Sequence, residues 1–260
     1  YLKAAIAGEM IGAIAVTEPD AGSDVAAIAT TAKKDGDDYI VNGSKIYITN
    51  GTQADWLCLL ARTSDEGGYA GMSQIIVPTG TPGFSVSRKL DKLGNLSSDT
   101  AGLAFDNVRV PEANVILGAG RGFEIAQGRL GPGRIHHCMR SIGVAERALA
   151  LMCRRSVERE AFGQPLARLG GNFDVIAESR MEIEMARLLT LKAAWMMDHV
   201  GNKAAMSEIA QIKVVAPNVA CRVIDRAIQI LVDADGKCLV DPVCDHFVLP
   251  MLAHRPPMRC

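Results

Sequence analysis

Two short segments carry residue types that could hold a flat, polar ligand. Val16-Thr17-Glu18-Pro19-Asp20-Ala21-Gly22-Ser23-Asp24 reads as a strand running into a turn. There Pro19 fixes one dihedral and Gly22 permits close backbone approach. Hydroxyls and free backbone N–H groups in such a turn can bind a planar polar group, and an ordinary turn explains the same residues. Asn42-Gly43-Ser44-Lys45-Ile46-Tyr47-Ile48-Thr49-Asn50-Gly51 alternates from Lys45 to Thr49 between turn residues. That is also the pattern of a plain half-exposed strand. His136 and His137 are adjacent, so on a helix they face different ways and make no metal pair. His246, Cys238 and Cys244 lack zinc-type spacing, and no C-x-x-C pair occurs. Neither a P-loop nor G-x-G-x-x-G is present, which excludes dinucleotide binding of the Rossmann kind. Glu178, Arg180 and Glu182 read as a solvated helix face with local ion pairs.

These segments need a scaffold. The chain has 260 residues, 48% of them apolar, enough for one large domain or two ordinary ones. A formal net charge of -1 argues against a broad nucleic-acid surface. No run of about 18 apolar residues occurs, so no transmembrane helix is expected. Tyr1 to Glu9 does not read as a secretory signal. Seven scattered Cys suggest no disulfide framework and point to a reducing, intracellular setting.

The composition changes near residue 118. Before it, strand candidates at Thr30–Lys34, Tyr39–Val41, Trp56–Ala61, Ser73–Val77, Phe84–Ser87 and Leu103–Val110 are punctuated by turn residues such as Asp35-Gly36-Asp37. That spacing predicts a β-barrel or sandwich. After Gly120 the period becomes helical. Ile135, Cys138, Ile142, Ala145, Leu149 and Met152 share one face, with Pro132 expected at a helix start or kink. A second helix is predicted over Phe173–Val200. Its Leu188–Met197 section is apolar nearly all round, which suggests burial on several sides, by another subunit among other possibilities. A third runs from Ala204 to Leu231, bent at Pro217. The fold class is therefore α+β: a β-barrel or sandwich domain over 1–118, a helical-bundle domain over 119–231, and an unassigned, Pro- and Cys-rich tail over 232–260.

Taken together, the two segments resemble the acyl-CoA dehydrogenase family, whose hallmark is a TEPxAGSD turn followed by an NGxKxxITN strand. Here these stand as Thr17–Asp24 and Asn42–Asn50. Leu93-Gly94, Ser98-Asp99-Thr100 and Phe105-Asp106-Asn107-Val108-Arg109-Val110-Pro111 look like the family's later barrel strands. Gly120-Arg121-Gly122-Phe123 looks like its entry to the helical domain, and Arg159-Glu160-Ala161-Phe162-Gly163 like its R-x-x-F-G motif. The resemblance covers roughly Tyr1 to Leu231, and Arg129 to Leu149 is similar to a long-chain-type branch.

The resemblance implies roles. FAD would be the cofactor and an acyl-CoA the substrate, with an electron-transfer flavoprotein as acceptor. Val16 and Thr17 would meet the isoalloxazine edge, while Tyr47, Ile48 and Thr49 would cover a flavin face near N5. Gly22 and Ser23 would lie where the flavin pyrophosphate and the pantetheine arm approach each other. Gly131 and Arg134 would line the acyl-CoA pocket. Arg159, Phe162 and Gln229 would reach the FAD of a neighbouring subunit, which implies a homodimer or homotetramer. Without the family, Arg134 reads as a surface charge, Arg159 as a partner of Glu158 or Glu160, and Phe162 as core.

Such enzymes remove an α proton from the thioester with a carboxylate and pass the β hydrogen to flavin. The family sets its Glu either immediately before the residue matching Arg134 or beyond a Gly-Gly-x-Gly segment after the third helix. The first position is Gly133, and the second falls in 232–260, which holds no Glu. The sequence therefore predicts a chain lacking its base and an amino-terminal helical domain, with an aberrant tail, and little or no turnover. A non-catalytic flavin- or acyl-CoA-binding protein on the same scaffold is the alternative, and a flavin oxidase or monooxygenase a third. The expected compartment is the mitochondrial matrix in a eukaryote or the cytoplasm in a bacterium.

Overall fold

The computed structural model describes residues 1–92 and 97–231. Leu93-Gly94 and everything expected of 232–260 lie outside the described residues. The chain divides into two units, Tyr1–Gln127 and Gly128–Cys260.

The first unit opens with a short helix α1 (Leu2–Ala7) and strand β1 (Gly12–Ala15), followed by β2 (Thr31–Asp35), β3 (Asp38–Thr49), β4 (Trp56–Arg62), β5 (Met72–Pro78), β6 (Phe84–Lys89) and β7 (Thr100–Pro111). The seven strands form one curled sheet in the order β1-β4-β2-β3-β7-β6, with β5 also pairing β4. β2 meets β4 through a single parallel pair, Thr31 with Arg62. The core inside the curl holds Val41, Ile48, Leu57, Leu59, Ile75, Val77, Leu103 and Val108, all buried. These are the alternating, largely branched residues that a pleated half-buried sheet selects. The two strand segments expected near Tyr39 and Lys45 form one continuous strand, β3, because β7 pairs with it over nearly its whole length.

Gly43 shows how tightly the curl is packed. Its φ is 147°, and a Cβ there would lie 2.7 Å from the Thr30 Cα, a backbone atom that cannot swing away.

The second unit contains most of α2 (Gly122–Glu158), a two-strand hairpin β8 (Glu160–Ala161) and β9 (Gln164–Pro165), then α3 (Asn172–Val200) and α4 (Met206–Leu231). Ile142, Ala145, Leu149 and Met152 of α2 pack with Ile183 and Ala186 of α3 and with Val219, Val223, Ala227 and Ile230 of α4. These α2 positions follow the predicted apolar face.

Three expectations need correction. Pro132 lies inside α2 rather than at its start. The carbonyl left without its helical donor belongs to Gly128, which is exposed, so water can satisfy it. The apolar Leu188–Met197 section of α3 is not enclosed within this chain: Leu188, Leu191 and Trp195 are about half exposed or more. Glu178, Arg180 and Glu182 do more than pair locally. Arg180 reaches Glu146 of α2 at 2.7 Å, Arg222 of α4 reaches Glu182 at 3.2 Å, and Arg226 reaches Glu178 at 3.0 Å.

Gly43→Ala is expected to destabilise the protein by more than about 1 kcal/mol, because the native backbone there disfavours any Cβ. Urea unfolding measures this, and an unchanged midpoint would mean that β3 can shift away from Thr30.

Candidate functional site

The two segments singled out in the sequence meet at the end of β3. The Ile46 N–H donates to the Thr17 carbonyl at 2.8 Å. Lys45 turns inward, fully buried, and its Nζ donates to the Val16 carbonyl at 2.9 Å and to Glu18 Oε1 at 2.8 Å. Glu18 is itself buried, and its carboxylate accepts the Ala29 N–H at 2.6 Å and the Thr30 N–H at 3.0 Å. A tight turn, in which Glu18 and Ala21 exchange both backbone hydrogen bonds, brings Gly22 against Thr17. Asp24 then caps the next turn by accepting from Ala26 N–H at 3.0 Å.

Electrostatics at this joint follow from burial and pairing. Burial alone would raise the Glu18 pKa, but hydrogen bonds from Lys45, Thr30 and Ala29 outweigh it and hold the carboxyl below its ordinary 4.5. Burial pushes the Lys45 ammonium down, against the opposing pull of Glu18.

Tyr47 is the strained residue of the strand. Between Lys45 and Ile48 the register with β7 shifts, so β3 carries one extra residue there. Tyr47 has φ 60°, a left-handed conformation that costs a bulky residue about 1–2 kcal/mol. The bulge turns its ring outward, leaving it 65% exposed. Thr49 is also exposed, whereas Ile48 between them points into the core and offers only its backbone. Among the described residues, the hydroxyls of Thr17, Ser23, Tyr47 and Thr49 show no hydrogen-bond partner. Val16 is half-buried against Leu60 and Met72. Unpaired hydroxyls on the two joined segments and an exposed aromatic ring suit a planar, multiply hydrogen-bonding ligand, so these residues fit a flavin.

The second unit presents the remaining candidates. Gly131 is buried, and a Cβ on it would strike the Asn202 side chain at 2.2 Å. Arg134 is half-buried within α2, twelve residues into the helix. A Cβ on Gly133 would first meet the Arg129 guanidinium at 3.1 Å, so the nearest group to that position is a cation and not a carboxylate. Phe162 and Gly163 form the two-residue turn of the β8–β9 hairpin, with φ 52° and 74°. Positive φ at both positions is the I′ geometry, ordinarily filled by Asn-Gly. Phe162 is 95% exposed there, so it is not core. The hairpin itself was not foreseen; the Phe-Gly pair between short extended residues was its only sequence signal. Arg159 precedes it, half-buried, and its carbonyl accepts the Leu166 N–H at 2.9 Å. Gln229 is exposed near the end of α4.

Sequence comparison finds the family described as "Acyl-CoA dehydrogenase, middle domain" over residues 13–108, and "Acyl-CoA dehydrogenase, C-terminal domain" over residues 120–233. The chain is 46% identical over 240 residues to "Probable acyl-CoA dehydrogenase FadE2" of Mycobacterium tuberculosis, covering 88% of this chain and 58% of that protein. It is 43% identical over 238 residues to human "Acyl-CoA dehydrogenase family member 11", covering 88% of this chain and 30% of that one. The structure of butyryl-CoA dehydrogenase from Megasphaera elsdenii superposes with a TM-score of 0.86 at 38% identity, over 95% of this chain and 64% of that one. The chain thus spans less than two thirds of the length of each.

Glu18→Gln strands the Lys45 charge in the interior, and its expected cost is about 3 kcal/mol near neutral pH. The sign with pH follows from the lowered Glu18 pKa. Its contribution is complete above pH 4.5 and is lost as pH falls through the lower folded value. Unfolding measured across that range should fall more steeply for the wild type than for Glu18→Gln; parallel curves would show that Glu18 is not a stabilising anion.

Proposed function

The chain belongs to the acyl-CoA dehydrogenase family, and from that premise we propose that it cradles FAD between its Val16–Asp24 and Asn42–Gly51 segments and serves the α,β-dehydrogenation of an acyl-CoA thioester to a trans-2-enoyl-CoA. The observation that carries the reading is Tyr47, held outward in a costly backbone conformation, with hydroxyls on the same two segments that have no partner among the described residues. Strain of that kind persists where surrounding structure over-determines it, and such places cluster at ligand sites.

In this reading Tyr47 covers one flavin face and Thr49 hydrogen-bonds along the edge near N5. Thr17 offers its hydroxyl, and Val16 its backbone, to the opposite edge. Gly22 and Ser23 give a phosphate or pantetheine close backbone approach and a free hydroxyl. FAD, when bound, supplies the hydride acceptor that no side chain can provide. Gly131, whose open side is filled by Asn202, would meet the acyl-CoA through its backbone alone, and Arg134 would place a cation near the thioester, where enolate-like charge develops. Removing the α proton needs a carboxylate within reach, and Gly133 supplies none. That residue favours the second reading, a binding protein on the same scaffold with little or no turnover.

The assembly we infer is a homodimer or homotetramer. Exposed Phe162, with Arg159 beside it and Gln229 on α4, would complete a neighbour's FAD site. The apolar stripe Met181, Met185, Leu188, Leu191 and Trp195 on α3 supports burial by another copy. An electron-transfer flavoprotein is the proposed acceptor. No helix among the described residues is long and apolar enough to cross a membrane. We place the protein inside the cell, in the mitochondrial matrix or the bacterial cytoplasm.

Titrating the purified chain with FAD tests the reading through the visible absorbance of bound flavin. Tyr47→Ala and Phe162→Ala should each weaken binding about tenfold, the loss of roughly one stacking contact. A wild-type chain that takes up no flavin would overturn it. Adding acyl-CoA and an artificial electron acceptor then separates the two readings: clear turnover would show that another group serves as base.

A further inference from the structure

Tyr47 is fixed from both sides, and only one side belongs to the motif already described. On its amino-terminal side, Lys45 and the Ile46 N–H tie the strand to Val16, Thr17 and Glu18. On its carboxyl-terminal side, Ile48 and Thr49 pair with Ala101 and Thr100 at the start of β7, and the chain then turns back through Asn50–Ala54. Asp99 stands immediately before β7 and is 9% exposed. Its Oδ2 accepts the Thr52 N–H at 2.7 Å and the Thr52 hydroxyl at 2.8 Å. Its Oδ1 accepts Gln53 Nε2 at 3.0 Å, and that same amide nitrogen lies 3.3 Å from Asn50 Oδ1.

Two further features make this turn stiff. Asn50 has φ 64°. Gly51 sits where a Cβ would lie 2.8 Å from Ala101 Cβ and 2.9 Å from the Ile48 carbonyl. The turn therefore packs directly on the residue pair that follows Tyr47. Among the described residues no cation pairs with Asp99. A buried carboxylate satisfied only by neutral donors is costly to keep, and what it gains is three hydrogen bonds, each made stronger by its charge.

We propose that Asp99 is a positioning residue: through Thr52 and Gln53 it locks the turn that keeps Tyr47 in its outward, positive-φ conformation, and so presents Tyr47 and Thr49 to the flavin. The role for flavin rests on the function proposed above. The conformational role does not. Without Asp99 the 50–54 turn loses its anchor, the register with β7 can slip by the one extra residue of the bulge, and Tyr47 relaxes to an ordinary strand conformation.

The experiment compares wild type with Asp99→Ala and Thr52→Val. Hydrogen exchange is read without flavin, and FAD affinity and the visible circular dichroism of the bound flavin are read with it. For Asp99→Ala we expect amide exchange to rise at least tenfold over residues 46–54 while β4 and β5 are unchanged, FAD to bind about tenfold more weakly, and the flavin dichroism to change shape. Unchanged exchange over 46–54 would overturn the proposal. So would faster exchange with unaltered affinity and dichroism, since Asp99 would then be structural only. Should Asp99→Ala fail to fold, Thr52→Val removes a single donor; there, a few-fold rise in local exchange with a few-fold loss of affinity supports the proposal, and no change in either refutes it. If wild type itself shows no flavin band, the proposed function fails instead, and the exchange comparison alone decides whether Asp99 holds Tyr47.

Discussion

The buried pair between Lys45 and Glu18 is the joint around which the first unit is organised. It connects three stretches distant in sequence: the turn after β1, the Ala29–Thr30 backbone entering β2, and the middle of β3. Ion pairs of this kind contribute little net stability, because desolvating two charges offsets most of their attraction. Their value is directional. A carboxylate with three donors and an ammonium with two acceptors can be satisfied in few arrangements, so the pair fixes which carbonyl and which amide face each other. Once Lys45 is inside, the alternation of β3 requires Ile46 to face Thr17, and the bulge that follows must send Tyr47 out.

Of the non-glycine residues with positive φ, Tyr47, Asn50, Asn107, Leu117 and Phe162, two are aromatic, one in each unit. Tyr47 and Phe162 both have positive φ, and both are exposed. Neither gains burial within the chain that would offset its backbone cost. A hairpin turn would be more stable with Asn at the Phe162 position, and a strand more stable with Tyr47 in β geometry. Residues that lose energy locally and gain no packing are explained by what they present outward. For Tyr47 that is the proposed flavin face, and for Phe162 the proposed neighbouring subunit.

The helical unit is held differently. Its apolar faces supply the core, while Glu146 and Glu182 each gather two arginines from a neighbouring helix and so set the relative positions of α2, α3 and α4. Exposed pairs are worth little one by one, but clusters sharing a carboxylate restrict how helices can slide. The outward stripe of α3 then remains as unburied apolar surface. Beside Gly133 the first group met is a guanidinium, which leaves that turn of α2 electropositive.

Much of this was legible in the sequence. The strands β2 to β7 and the three long helices followed from alternation and from three- and four-residue spacing, since those periods are fixed by backbone geometry, whereas α1 and the β8–β9 hairpin are too short to show either period. The family, and with it the α+β class, followed from two motifs whose order is specific. Side-chain fates were less legible. Lys45 reads as an exposed residue of an alternating strand, yet it is buried, because Glu18 arrives from elsewhere in the chain to meet its charge. Asp99 reads as part of a strand motif, yet its carboxylate closes a turn that precedes it by nearly fifty residues. Pro132 reads as a helix boundary, yet the helix runs through it where solvent can reach the freed carbonyl. In each case the sequence determined the local conformational preference. Only the tertiary structure decided which partner satisfied the polar group, because hydrogen-bond and charge satisfaction depend on residues that meet only when the chain is folded.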